Sequence, residues 1–332
     1  MSPALRVEDL SVDIQRHGDP MHVVKGLSLE VEPGRAMGLV GESGSGKSIS
    51  LRAILGLLPQ VASITGGHVW IEGEDVTIAS KRRLRALHGP VVSMIFQEPM
   101  SALNPVMRVG EQIAEGPRTH LGLSRTQAAV RAIELMGKVG IPDAARRSRA
   151  FPHEFSGGMR QRVMIAMALS CDPKVILCDE PTTALDVTIQ DQILRLLAGL
   201  CAESGTALLF VTHDLPVVAQ LCQTVAVMYA GRILEQGDVA EVFRLPQHPY
   251  TLGLLRSAPD FEERRSGLIP IPGSPPELSS PPSGCVFHPR CAFASEDCAS
   301  GELPLIDVGG RLTACRHHER AVAAQREMPV MQ

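Results

Sequence analysis

The chain of 332 residues holds no uninterrupted apolar run of the roughly 18 residues that a membrane-crossing helix needs. Its opening residues, Met1 to Asp9, have no apolar core behind a basic flank, so no secretory leader is read there. Positive charge is also scarce: 32 Lys and Arg face 36 Asp and Glu, for a net charge of −4. That balance excludes a global basic field of the kind that gathers nucleic acid, while leaving local patches open. The one basic run, Lys81-Arg82-Arg83-Leu84-Arg85, reads as a solvated helix face. Among the eight cysteines no closely spaced C-x2–4-C pair occurs, which removes the usual mark of structural zinc. Together these absences predict a cytosolic chain that does not itself span a membrane.

What is present is an ordinary globular composition, 44% hydrophobic and 20% charged, long enough for more than one core. The stretch that organises the rest is Gly41-Glu42-Ser43-Gly44-Ser45-Gly46-Lys47-Ser48. It lies between the apolar run Ala36–Val40 and a helix-like segment from Ile49 to Leu58. Strand, glycine-rich turn and helix in that order form a phosphate cradle. A backbone without Cβ atoms can curl so that its N–H groups face an anion, and the helix N-terminus adds partial positive charge. Gly41, Ser43, Gly44, Ser45 and Gly46 would line the cradle, Lys47 would reach the β- and γ-phosphates, and the Ser48 hydroxyl would ligate Mg²⁺.

Residues 5–40 alternate apolar and polar over short runs, as in Leu27-Ser28-Leu29-Glu30-Val31, and predict an antiparallel sheet that could carry the adenine-facing surface. Gly66-Gly67 then precedes a strand at His68–Ile71. Val91–Phe96 is a continuous apolar run fit for a buried parallel strand, ending at Gln97. After Pro99 and Pro105 the pattern turns helical from Val109 to Gly140, with Ile113, Val130, Ile133, Leu135 and Met136 expected inward. A helical subdomain inserted between two core strands follows, at about 99–170. The next apolar strand, Lys174–Cys178, ends in Asp179-Glu180. Two carboxylates at the end of a buried strand need a compensating cation, so Asp179 is the expected Mg²⁺-side residue and Glu180 the group that orients attacking water. Ala207–Val211 is a further buried strand, and it delivers His213 toward a γ-phosphate. Apolar strands alternating with helices indicate a mainly parallel α/β sheet.

Phe155-Ser156-Gly157-Gly158-Met159-Arg160-Gln161-Arg162 resembles the signature motif of the ATP-binding cassette (ABC) ATPases. Phosphate loop, Gln97, signature, Asp179-Glu180, the Thr183-Ala184-Leu185-Asp186 turn and His213 follow the order of that family over roughly residues 5–240. The resemblance implies that two such domains pair head to tail. ATP would then lie between the phosphate loop of one and Ser156, Gly157 and Gly158 of the other. Asp186 would couple the two sites, and Gln97 would join the metal and catalytic groups and link them to the surface that meets a membrane subunit. Two departures stand out: Met159 replaces the commonest Gln, and no aromatic occurs in Asp19-Pro20-Met21-His22-Val23, where many members stack adenine.

Pro246-Gln247-His248-Pro249-Tyr250-Thr251 resembles the C-terminal region of oligopeptide and dipeptide importer ATPases and their nickel-importer relatives. That likeness implies a cytoplasmic, membrane-peripheral ATPase with a second, homologous ABC chain in a heterodimer. Two permease subunits and an extracytoplasmic solute-binding protein would complete the importer, with no nucleic acid partner. A soluble cassette ATPase acting on DNA or the ribosome is the alternative; the coiled-coil insertion, tandem cassette or basic appendage expected of one is missing.

The boundaries read as a nucleotide-binding domain at 1–240, a helical segment and Pro-rich linker at 241–284, and a Cys-rich region at 285–332. Within the last, Cys285-x5-Cys291-x6-Cys298-x16-Cys315 favours a metal or cluster over disulfides in a cytosolic protein. All-thiolate ligation of a [4Fe–4S] cluster tolerates such spacing, and the importer branch resembles this tail in carrying one. Zinc, with His288, His317 or His318 as further ligands, is the second reading, and free thiols or another state the third. Cys171, Cys178, Cys201 and Cys222 sit in apolar segments and read as small hydrophobes.

Overall fold

Every residue of Ala36–Val40 and Val175–Asp179 is buried, as expected of apolar strands covered on both faces. The computed structural model describes residues 2–16, 20–98, 102–182, 187–258, 269–301 and 303–326. The strands of the first half are β1 (Leu5–Ile14), β2 (Met21–Val31), β3 (Ala36–Val40), β4 (Ala62–Ile71), β5 (Glu74–Asp75) and β6 (Val92–Ile95). Those of the second are β7 (Val175–Asp179), β8 (Ala207–Thr212), β9 (Thr224–Tyr229), β10 (Arg232–Asp238), β11 (Ile306–Asp307) and β12 (Leu312–Thr313). Helices α1 (Lys47–Ile54), α2 (Lys81–Leu87), α3 (Val109–His120), α4 (Arg125–Lys138), α5 (Ala144–Arg147) and α6 (Gly157–Ala168) precede β7. After it come α7 (Val187–Ser204), α8 (Leu215–Leu221), α9 (Val239–Arg244), α10 (Pro249–Ser257) and α11 (His318–Arg326). The backbone groups into two compact units, one of Met1–Arg6, Glu30–Ala36 and Val69–Val211, the other of Val7–Leu29, Met37–His68 and Thr212–Gln332.

In the first unit β8, β7 and β6 lie side by side in parallel, with Val175 opposite both Ala207 and Val92. Parallel neighbours need a crossover, and the one from β6 to β7 is the expected helical insertion, in which α3 packs on α4 and α6. A capping box starts α4: Ser124 Oγ accepts from the Gln127 N–H at 3.3 Å while Gln127 Oε1 accepts from the Ser124 N–H at 2.9 Å. Ile113, Leu135 and Met136 are buried as expected. Val130 is not: it is 52% exposed, and Ile133 is only half-buried. The inward face of α4 repeats through Ala128, Ala132, Leu135 and Met136, spaced by three and four, and Val130 falls on the opposite side. The basic run on α2 is solvated, with Ser80 as its N-cap.

In the second unit the sheet order is β11-β12-β10-β9-β3; β3 and β9 are parallel and the remaining pairs antiparallel. Thr313 of the Cys-rich region stands opposite Glu235, so that region is paired into the sheet. Beside one another in the order β2-β1-β4 run the alternating strands. Gly66-Gly67 does not precede β4 but lies within it: β4 begins at Ala62. Gly67 has φ 79°, and a Cβ there would stand 2.3 Å from the Glu8 carbonyl oxygen, so it serves the close passage of two strands rather than a turn. Of the expected linker, 259–268 lie outside the described residues, and 269–284 contain neither helix nor strand. Parallel core pairs, antiparallel strands and helical insertion together make the α/β P-loop architecture read from the sequence.

Candidate functional site

Buried strand β3 delivers the chain into Gly41, where a Cβ would lie 2.0 Å from the Met228 carbonyl oxygen. Gly44 and Gly46 take φ 78° and 106°, backbone that favours glycine. Beside Gly46 a Cβ would meet the Val23 oxygen at 2.7 Å, whereas Gly44 faces open space. The Ser45 N–H donates to the Glu42 oxygen at 3.2 Å and closes the turn. Buried Lys47 arches back, its Nζ donating to the Gly41 oxygen at 2.7 Å and the Glu42 oxygen at 2.9 Å. Helix α1 starts at Lys47 with Gly46 as N-cap and no side chain capping it, while Ser43 and Ser48 are exposed. An ammonium inside a glycine arc at a helix N-terminus fits a polyphosphate. His213 is exposed where β8 ends; the cap of α8 is Asp214, whose carboxylate accepts from the Val217 N–H at 3.4 Å.

In the first unit β7 ends on buried Asp179, followed by Glu180 at φ 45°, a conformation that is strained for a residue with a side chain. Its N–H donates to the Val211 oxygen at 2.9 Å, which pins the turn. Gln97 Nε2 donates to Glu180 Oε2 at 3.3 Å, so the ends of β6 and β7 bring those two side chains together. Ser156 is the N-cap of α6, accepting from the Met159 N–H at 3.4 Å, and it is exposed together with Gly157. Gly158 passes α7 closely: a Cβ there would meet Ile189 Cγ2 at 3.2 Å. Phe155, the first residue of the signature, is buried, with the Arg147 guanidinium 6.0 Å from its ring. Asp186 and the rest of its turn, 183–186, lie outside the described residues.

Cys285, Cys291, Cys298 and Cys315, all free thiols, line one small cavity in the second unit. The segment that carries them is tightly wound: the Cys285 N–H donates to the Cys298 oxygen at 2.9 Å, and the Cys291 N–H to the His288 oxygen at 3.2 Å. The Phe293 N–H points at Cys291 Sγ, 3.4 Å away. Burial pushes the thiols of Cys285, Cys291 and Cys315 up, Cys315 to about 12, and the neighbouring thiols add to the shift. Among the described residues no three of the four sulfur atoms come within 4.8 Å of one another; the group at that spacing is Asp297, Cys298 and His317. A single tetrahedral zinc would hold its sulfurs about 3.8 Å apart. Four thiols around one cavity are donors that either a metal ion or a cluster could use.

An ABC transporter family model matches residues 24–183, and one described as the oligopeptide/dipeptide transporter C-terminal region matches 234–298. A putative peptide import ATP-binding protein of Brucella abortus is 48% identical over 318 residues, 92% of this chain and 94% of its own. The chain belongs to the ABC transporter family. Another relative, the oligopeptide transport ATP-binding protein OppD of Mycobacterium bovis, is 46% identical over 310 residues, 93% of this chain and 50% of that longer protein. Among solved structures, the ADP- and phosphate-bound, post-hydrolysis dimer of the ATP-binding cassette MJ0796 has TM-score 0.65 at 25% identity. That match covers 71% of this chain and 98% of the cassette. The cbiO1 protein of Clostridium perfringens, part of an ABC transporter complex, gives 0.62 at 28% identity over 73% and 91%.

As an ABC ATPase the chain carries one feature that its motifs did not disclose. Glu42, inside the phosphate loop, is bound by Tyr250 and Arg290 from the C-terminal part. Tyr250 reads from sequence only as a marker of the importer branch, and Arg290 carries no motif; its one signal is its position directly before Cys291. No helix among the described residues of this ABC ATPase is long and apolar enough to cross a membrane.

Proposed function

We propose that this ABC ATPase powers import of peptides or related small solutes through partner membrane permeases, from the cytoplasmic face of the membrane. The full-length likeness to the peptide import ATP-binding protein of Brucella abortus supports this most, with a second support in the match of 234–298 to the oligopeptide/dipeptide region. In this reading Gly41, Ser43, Gly44, Ser45 and Gly46 offer N–H groups to the triphosphate and Lys47 neutralises its β- and γ-phosphates. Ser48, Gln97 and Asp179 hold Mg²⁺, which supplies charge stabilisation on the transferring phosphoryl group. Glu180, oriented by Gln97, polarises the attacking water, and His213 contacts the γ-phosphate. Ser156, Gly157 and Gly158 close the site of a second ABC ATPase chain, homologous rather than identical, and Asp186 couples the two sites.

Nucleotide can drive closure of that pair only insofar as it binds the closed form more tightly than the open one. Contacts from both chains to one γ-phosphate provide the difference. Two permeases and an extracytoplasmic solute-binding protein complete the importer. The domain limits 1–240, 241–284 and 285–332 belong to the same proposal. So does a [4Fe–4S] cluster on Cys285, Cys291, Cys298 and Cys315, which would cross-link the segments that carry those thiols.

Copurification of the intact complex, followed by identification of its subunits and ATPase assays in proteoliposomes, tests the function. Two permeases, a second ATPase and hydrolysis stimulated by peptide-loaded binding protein are expected. A complex with DNA or ribosomes overturns the reading, and stimulation by nickel alone moves it to the nickel-importer relatives.

A further inference from the structure

The second residue of the phosphate loop is held from four directions. Its N–H donates to the Tyr250 hydroxyl at 2.9 Å, and its carbonyl oxygen accepts from Lys47 Nζ at 2.9 Å and from the Ser45 N–H at 3.2 Å. The Glu42 carboxylate is gripped by both arms of one guanidinium, Arg290 Nη1 to Oε2 at 2.7 Å and Nη2 to Oε1 at 3.1 Å. The Arg290 side chain is 6% exposed. Its other donors are also spent, Nε on the Pro272 oxygen at 2.8 Å and Nη1 additionally on the Tyr229 hydroxyl at 3.1 Å. Tyr229 and Tyr250 pack ring against ring at 4.6 Å, and Phe287 stands edge-on to Tyr229 at 5.4 Å. Arg290 therefore has one position open to it, and that position is fixed by the turn His288–Arg290 between Cys285 and Cys291.

We propose that Arg290 is a positioning residue for ATP binding, which acts by orienting and neutralising Glu42 in the phosphate loop. Two physical points separate this from plain stabilisation. A buried ion pair contributes little net stability compared with apolar groups of the same volume, so fold energy alone does not call for it. A planar bidentate fork, by contrast, sets the direction of the carboxylate and of the backbone that bears it. The second point is charge: an unpaired carboxylate borne by a loop that receives a polyanion repels it. Arg290 removes that repulsion. The proposal rests on the reading of Gly41–Ser48 as the ATP phosphate site.

The test uses the full-length chain in its purified membrane complex, with the Kd for Mg-ATP measured beside KM and kcat. Arg290→Met is expected to raise Kd and KM about tenfold while kcat falls by less than about threefold, the pattern of lost ground-state binding. Adding Glu42→Gln removes the unpaired charge and is expected to bring Kd back to within about threefold of the parent. A merely structural arginine would show no such recovery. Arg290→Lys keeps the charge without the fork, serves if the Met variant does not fold, and is expected to weaken binding about threefold. Parent-like Kd in the Arg290 variants, or no recovery on adding Glu42→Gln, overturns the proposal. If Lys47→Ala also binds Mg-ATP as the parent does, the phosphate-loop reading itself falls and takes the proposal with it.

Discussion

Gln97 Nε2 and Glu180 Oε2 stand 3.3 Å apart, joined across the ends of two neighbouring parallel strands. The amide sets the direction of the Glu180 carboxylate, which in the proposed function polarises the attacking water. Glu180→Gln keeps the shape and removes the base, so ATP hydrolysis is expected to fall on the order of 10²- to 10³-fold while Mg-ATP binding persists. Single-turnover hydrolysis measures it; an unchanged rate would remove Glu180 from the mechanism.

The loop glycines are not equivalent. A Cβ at Gly41 would sit 2.0 Å from the Met228 oxygen, whereas at Gly44 it would meet nothing within 4 Å. Gly41→Ala combines a backbone collision with strain and is expected to cost about 2–3 kcal/mol in denaturant unfolding. Gly44→Ala carries the left-handed strain alone and should cost about 1 kcal/mol. Equal losses would contradict the packing around Met228.

For the four thiols, protein purified without oxygen is expected to yield about four iron and four sulfide per chain, and Cys315→Ser less than half of that. Zinc without iron would assign the site to Asp297, Cys298 and His317, whose ligand atoms already lie within 4.8 Å of one another.

Buried His248 accepts the Tyr250 N–H on Nδ1 at 3.0 Å, and burial pushes its pKa down to about 3. The unfolded chain protonates this ring from about pH 6.5 and the folded chain does not. Stability contributed here is therefore complete above about pH 6.5 and is lost as pH falls from there toward 3, at up to about 1.4 kcal/mol per unit. His248→Asn retains an acceptor for Tyr250 without titrating. Between pH 7.5 and 5.5 the parent should lose roughly 1 kcal/mol more stability than this variant. Parallel pH profiles would refute the assignment.

Sequence alone determined the phosphate loop, the three apolar strands that end in Gln97, Asp179-Glu180 and His213, and the signature helix cap. Each of these depends on residues close together in the chain, where glycine freedom, apolar runs and capping chemistry act locally. Only the tertiary structure decided that Val130 faces outward, because periodicity marks apolar residues without saying which side of a helix meets a neighbour. It alone placed Gly66-Gly67 inside a strand, where the partner strand's closeness, not a turn, requires them. The pairing of Glu42 with Arg290 spans 248 positions. Contacts so distant in sequence leave no spacing to read, since chain folding and not local conformational preference brings their partners within reach.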